Sequence, residues 1–194
     1  MANHVHTSVE FQRINEAAQN RLKELYEKVR TDSHYQWFGD IFLGDELSYE
    51  KIEDRTWMLE NIGAKWCYFE DKDPDYFTTE SAWSPPIEGI EKLLEDLSQY
   101  DKKMVTVVRY EDEFPNYIGA SVYIGNHELD SREDTDEDIL EMAMEHFDDI
   151  KGKFDFETGE WADEKSEEFW EDMAWEFRTE LIDDFVAETL DLLH

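Results

Sequence analysis

Apolar residues between Val5 and Ile124 follow two periods in turn, and that order leaves few architectures open. Across residues 5–11 every second position is apolar or β-branched (Val5, Thr7, Val9, Phe11), the spacing of a strand with one buried face. Across 15–30 the period lengthens: Ala18, Leu22, Leu25 and Val29 recur at helical steps behind Asn15, a side chain suited to cap the helix. Residues 65–69 and 76–83 are short aromatic-rich runs around Glu70-Asp71-Lys72-Asp73-Pro74-Asp75, whose Asp and Pro content is turn chemistry, so they predict a hairpin. Pro85 and Pro86 then open a second helix carried by Ile87, Ile90, Leu93, Leu94 and Leu97. Residues 104–110 and 117–124, joined by a turn over 111–116, predict two further strands. The order β-α-β-β-α-β-β is that of a ferredoxin-like α+β fold with one extra strand: an antiparallel sheet with both helices on one face and the other face open. Residues 31–60 hold Tyr35, Trp37, Phe38, Ile41, Phe42 and Leu43 without a clean period, which suggests an irregular insertion, with a short helix open over 49–60.

Charge divides the chain. Its 194 residues carry 51 acidic and 18 basic side chains, a net of −33, and residues 128–194 alone hold 26 acidic against 5 basic. The expected organisation is therefore a ferredoxin-like domain over 1–127 and an acidic helical extension over 128–194 packed on it, with helical patterns at 137–147 and 164–193. In the later helix Trp170, Met173, Ala174, Phe177, Leu181 and Phe185 fall on one side, and Glu164, Glu168, Glu171 and Asp172 on the opposite one. Ile182, Val186, Leu190 and Leu193 form a second apolar stripe, which leaves open a homodimer or a break near Arg178. A surface this acidic repels nucleic acid and anionic membranes and attracts basic proteins. The N-terminal Met1-Ala2-Asn3-His4 has no signal-peptide character and Cys67 has no partner for an intrachain disulfide, so a cytoplasmic protein is expected. No stretch approaches the roughly 18 apolar residues of a membrane span.

Asn61-Ile62-Gly63-Ala64-Lys65-Trp66, followed by Ala82-Trp83-Ser84-Pro85-Pro86, resembles the YubB-like ferredoxin-like family of plasmid and phage proteins. That family carries Asn-Trp-Gly-Thr-Lys-Trp before Trp-Ser-Pro-Pro at the start of the second helix; Ile62 and Ala64 depart from it, while Gly119 and Gly125 fit. The resemblance spans about residues 60–125. It implies the ferredoxin-like fold and a phage or mobile-element origin, hence a host-cell cytoplasm, and assigns no catalytic residue.

The residue chemistry favours binding over catalysis, with no cofactor implied. Lys65, Trp66 and Trp83 could wall a small-ligand or peptide pocket, although aromatic residues on paired strands more often pack in the core. His4 and His6 share a strand face, but without Cys partners at zinc spacing no metal site is assigned. Asp71, Asp73 and Asp75 lack the glycine and terminal Glu of a calcium loop, and Asp134, Asp136 and Asp138 fail in the same way. Cys67 lies within a predicted strand, and no nucleophile elbow or phosphate loop is present. The leading expectation is a non-enzymatic inhibitor or modulator that presents Glu164, Glu168, Glu171 and Asp172, with Asp134, Asp136 and Asp138, to a basic nucleic-acid-handling host protein as a DNA charge mimic. The alternative is the ligand-binding module at Lys65, Trp66 and Trp83, with the acidic surface incidental.

Overall fold

A computed structural model describes residues 3–30, 35–43, 54–114 and 116–193. In these the chain runs β1 (His4–Arg13), α1 (Glu16–Tyr26), β2 (Gln36–Trp37), a 3-10 turn (Phe38–Ile41), α2 (Arg55–Asn61), β3 (Cys67–Lys72), β4 (Tyr76–Ala82), α3 (Ile87–Ser98), β5 (Val105–Asp112), β6 (Tyr117–Ile124), β7 (His127–Thr135), α4 (Asp136–His146), β8 (Phe154–Asp155), β9 (Glu160–Trp161) and α5 (Glu164–Asp191). It is an α+β protein with a seven-stranded antiparallel sheet in the order β2-β3-β4-β1-β5-β6-β7, and a separate β8-β9 ribbon. The short helix left open over 49–60 corresponds to α2, and its expected first residues, 49–53, lie outside the described residues.

The first core forms where the two periods meet. Val5, Val9 and Phe11 of β1 project to the same side as Phe69, Phe77, Val108 and Tyr110, and Leu22 and Leu25 of α1 and Ile90, Leu93, Leu94 and Leu97 of α3 close over them. Asn15 caps α1 as its sequence position suggests, accepting a hydrogen bond from Ala18 N–H at 2.9 Å. The stretch over 31–60 contributes to the same core: Phe38, Ile41 and Met58 are fully or almost fully buried. Asp40, also fully buried, accepts from the Arg30 backbone N–H and Nε, both at 3.1 Å, and from Nη2 at 2.7 Å.

Two features depart from the sequence-based expectation. The segment after Asn126 begins with a strand, not a helix: β7 pairs with β6 over its length, from Ile124–His127 to Tyr117–Thr135. Its residues are exposed or half-buried, as expected of an edge strand protected by charge, so they carry no apolar alternation. Helices also occupy both faces of the sheet. Val107, Ala120 and Val122 point away from the first core and are covered by Ile182 and Val186 of α5. Apolar residues on both faces of β5, Val107 as well as Val108, require that second cover.

The helix expected over 164–193 corresponds to α5, which is continuous for 28 residues through Arg178, where a break is left open by the sequence. Its first half buries Trp170, Ala174 and Phe177 against Ile139, Leu140 and Ala143 of α4 and Ile150. Its second half buries Ile182 and Val186 on the sheet. Between the halves the buried stripe rotates by roughly 130° about the axis, at about 100° per residue. Ile182 and Val186 of the second apolar stripe thus pack within the chain, with Leu190 partly buried beside them, by a change of packing partner, and the helix does not break.

Candidate functional site

The expected acidic residues fall into two groups that the fold treats differently. Glu164, Glu168, Glu171 and Asp172 are exposed on the first turns of α5, behind an N-cap in which Asp163 accepts from Ser166 N–H at 2.9 Å. The Ser166 hydroxyl and then Lys153 hold the Asp163 carboxyl below its usual range. Asp134, Asp136 and Asp138 lie at the β7–α4 junction, and each already has a structural partner. Asp134 accepts from Arg132 Nε at 2.5 Å, and Asp136 is ion-paired with Arg178 of α5. Asp138 completes a capping box with Thr135, whose hydroxyl holds the Asp138 carboxyl low. Because Asp136 touches α5 at Arg178, the group from Glu164 to Asp172 begins about 9–21 Å away along the helix axis at 1.5 Å per residue. The two groups are parts of one acidic surface rather than one compact site.

That charge is almost entirely exposed. Of the 26 carboxylates in residues 128–194, all but Asp134 and Asp136 are exposed. Of the few cations there, Arg132, Lys153 and Arg178 are each ion-paired within the chain.

The structure brings Lys65 and Trp83 together and turns Trp66 elsewhere. Lys65 Nζ sits 4.8 Å above the Trp83 ring, which is 51% exposed, so Trp83 is not a core residue. Its backbone is left-handed, φ 73°, an uncommon and costly state for a bulky residue. The flanking loops fix it there: Trp83 N–H donates to Asn3 O at 2.9 Å, and Ser84 Oγ donates to Gly63 O at 2.6 Å. Gly63 has φ +89°, and a Cβ on it would strike the Glu88 carboxylate, so this position requires glycine. Trp66 stacks on Tyr68 at 5.3 Å and 11° and meets His4 edge-on at 5.2 Å. These rings stand on the face of β3 and β1 opposite the first core. Burial pushes the Glu80 carboxyl up, but hydrogen bonds from Tyr68 and His4 outweigh it and hold the group below its usual range. His6 pairs with Glu70 at 3.4 Å, so each histidine faces its own carboxylate. No group of three or more His, Cys, Asp or Glu side chains placed to share a metal occurs among the described residues. Cys67 is buried in β3, and burial pushes its thiol up, away from nucleophilic use.

A site that pattern reasoning did not find lies where α5 crosses the sheet. A cleft of about 250 Å³ opens between β1 and β5 on one side and Trp175, Thr179, Ile182 and Asp183 on the other. Arg109 lies on its floor, 3.5 Å from Glu10 and 3.3 Å from Asp183, with its Nε buried and without a hydrogen-bond partner. Glu111 beside it is half-buried; desolvation pushes its carboxyl up, against the opposing pull of His6 and Arg178. Trp175 stands at the mouth, 62% exposed. One signal in the sequence points here: Trp175 falls on the charged side of α5 with Glu164, Glu168 and Glu171, seven residues before Ile182 of the second apolar stripe.

No helix among the described residues is long and apolar enough to cross a membrane. Neither a known protein family nor a curated protein matches the chain.

Proposed function

We propose that this chain acts by binding and without chemistry of its own, and that its target is a basic, nucleic-acid-handling protein whose nucleic-acid site it occupies through charge mimicry in the cytoplasm. The observation that carries this reading is the exposure of 24 of the 26 carboxylates of residues 128–194 together with the internal pairing of Arg132, Lys153 and Arg178. A rigid element presents part of that charge: α5 has 28 residues, about 42 Å at 1.5 Å per residue, against 34–36 Å for one turn of duplex DNA. A groove evolved for phosphates releases the same kind of counterions when it meets a row of carboxylates, so the attraction needs no base-like feature. It is screened over about 10 Å at 0.1 M salt, so affinity should fall steeply as salt rises.

The test is capture of partners from lysate at low and moderate salt, with duplex DNA as competitor. A basic partner released by DNA and by salt supports the proposal, whereas a partner indifferent to both removes it. Charge reversal at Glu164, Glu168, Glu171 and Asp172 should weaken capture and leave the fold intact, since these side chains are exposed. Reversal at Asp134, Asp136 or Asp138 would also act on the fold, because Arg132, Arg178 and the α4 cap depend on them.

We further propose that β3-β4-β1-β5 with α1 and α3 constitute a ferredoxin-like core, which β2 at one edge and β6-β7 at the other extend. The order of these four strands and the shared face of the two helices support it. A YubB-like, phage-borne origin rests on the two sequence motifs alone. A second reading, a ligand site at Lys65 and Trp83, is favoured by one observation: Trp83 is held exposed in a left-handed conformation.

A further inference from the structure

Most charges around the α5 cleft are already matched. Arg109 is held by Glu10 and Asp183, His6 by Glu70, and Arg178 by Asp136, although the buried Nε of each arginine has no hydrogen-bond partner. Two further groups are left over. The Glu111 carboxylate makes no hydrogen bond or ion pair with a described residue, although it is half-buried. The Trp175 indole makes no ring contact with a described residue, although it stands at the cleft mouth.

A smaller hollow of about 130 Å³ adjoins the cleft and shares Glu111, Ile118 and Trp175 with it. Its wall adds Asp112, which is 6% exposed and whose Oδ1 is buried without a partner, while Oδ2 accepts from Asn116 at 2.6 Å and from Asn3. Unmet acceptor capacity of this kind, beside an unpaired half-buried carboxylate, calls for a donor that carries positive charge.

Resting on the reading of a basic protein target, we propose that the cleft between α5 and β5 is the socket for one arginine side chain of that target, with Trp175 and Glu111 as its two walls. The cleft is smaller than the roughly 300–1,000 Å³ of sites for drug-sized ligands, which suits a single long side chain. A guanidinium has the two properties these walls select: a flat face that stacks on an indole, and a fork of N–H donors that bonds a carboxylate in two places. The three methylenes of arginine would lie along Ile118 and Ile182, which line the same cleft. A lysine would reach Glu111 but bring no flat cation to Trp175. The exposed carboxylates of α5 attract many basic surfaces; this socket would choose among them.

The test uses the full chain with indole-labelled tryptophan, and Nα-acetylarginine amide as the probe. The Trp175 indole N–H resonance, identified by its loss in Trp175→Phe, is followed during titration at about 0.15 M salt, where diffuse attraction is screened within about 8 Å. The expected result is a saturable shift of that resonance, absent with the neutral citrulline analogue, about tenfold weaker in Glu111→Gln, and unchanged in Glu95→Gln, an exposed carboxylate of α3 on the opposite face of the sheet. An equal response to citrulline, an unaffected Glu111→Gln, an equal loss in Glu95→Gln, or no saturable shift overturns the socket. Because the assay contains no partner, such a result leaves the charge-mimicry reading to be judged by partner capture, and failed capture beside a binding probe overturns the target instead.

Discussion

Ile182→Ala separates internal packing of the C-terminal half of α5 from an intermolecular role. Ile182 is 2% exposed and sits in a cluster with Val107, Ala120, Val122 and Val186. Removing a buried isoleucine to alanine costs about 2–5 kcal/mol, depending on how far the surroundings collapse into the space left behind. The cleft of about 250 Å³ on the other side of Ile182 gives its neighbours room to relax, which places the expected loss at about 2–3 kcal/mol. Against a total stability of about 5–15 kcal/mol this is a large displacement. Urea denaturation followed by far-ultraviolet dichroism should show a lower midpoint with an unchanged slope, identical at all protein concentrations. The double mutant with Val122→Ala should show a coupling of at least about 0.5 kcal/mol, as residues in contact do. A loss below about 1 kcal/mol, zero coupling, or a midpoint that moves with chain concentration would refute the reasoning and return the stripe to a dimer interface.

Three further substitutions probe other parts of the fold. Asp40→Ala removes a fully buried carboxylate and its three hydrogen bonds to Arg30, so denaturation should show a loss of about 3 kcal/mol, the low end for a broken buried pair because the Arg30 side chain reaches solvent. Burial pushes the Glu111 carboxyl up, so its stabilising contribution is present at low pH, where the folded state keeps the proton, and is lost as pH rises through the folded pKa. Glu111→Gln should therefore raise the Tm near pH 7 and make no difference below about pH 4, the ordinary carboxylate value; a gain that grows on acidification contradicts this. Trp83→Ala should cost less than about 1.5 kcal/mol by the same urea assay, since the ring is half-exposed; a loss of about 3–5 kcal/mol would place Trp83 in the core after all.

How far the sequence could be read depended on whether one force acted at each position. The helix behind Asn15 and the hairpin from Cys67 to Ala82 were legible because a single buried face imposes a single period. β7 was not, because neither of its faces is buried enough to demand apolar residues, and its Glu, Asp and Arg side chains resembled a solvated tail. A local signal did exist: Gly125-Asn126 is a two-residue loop after an aromatic strand, and Gly125 has φ +59°, as the first central position of a hairpin turn requires. The rotation of the buried stripe in α5 was visible as two apolar rows, but its cause was not, since it depends on which elements lie beneath each half. Trp66 and Trp83 leave two readings open in the sequence, a pocket wall with Lys65 or packing in the core, because aromatic residues on strands suit both. Trp66 instead stacks on Tyr68 on the opposite face, and Trp83 lies beyond the end of β4 under Lys65. The α5 cleft draws on β1, β5 and α5, segments more than 50 residues apart, so no local pattern could assemble it.

The uninterrupted α5 has a consequence for how the molecule comes apart. It is fastened at one end among Ile139, Ala143 and Ile150 and at the other on Val107 and Val122, so it acts as a splint across two apolar clusters that share few other members. Releasing either end would leave half of a 28-residue helix without a partner, and an unsupported helical segment of that length is marginal in water. Loss of one cluster would therefore propagate along the rod to the other, and the amides of α5 from Trp170 to Val186 should exchange with solvent in one concerted opening. Eleven of the exposed carboxylates of residues 128–194 are thus arrayed on the element whose opening would dismantle both clusters, and a partner that grips that row would lock the two together.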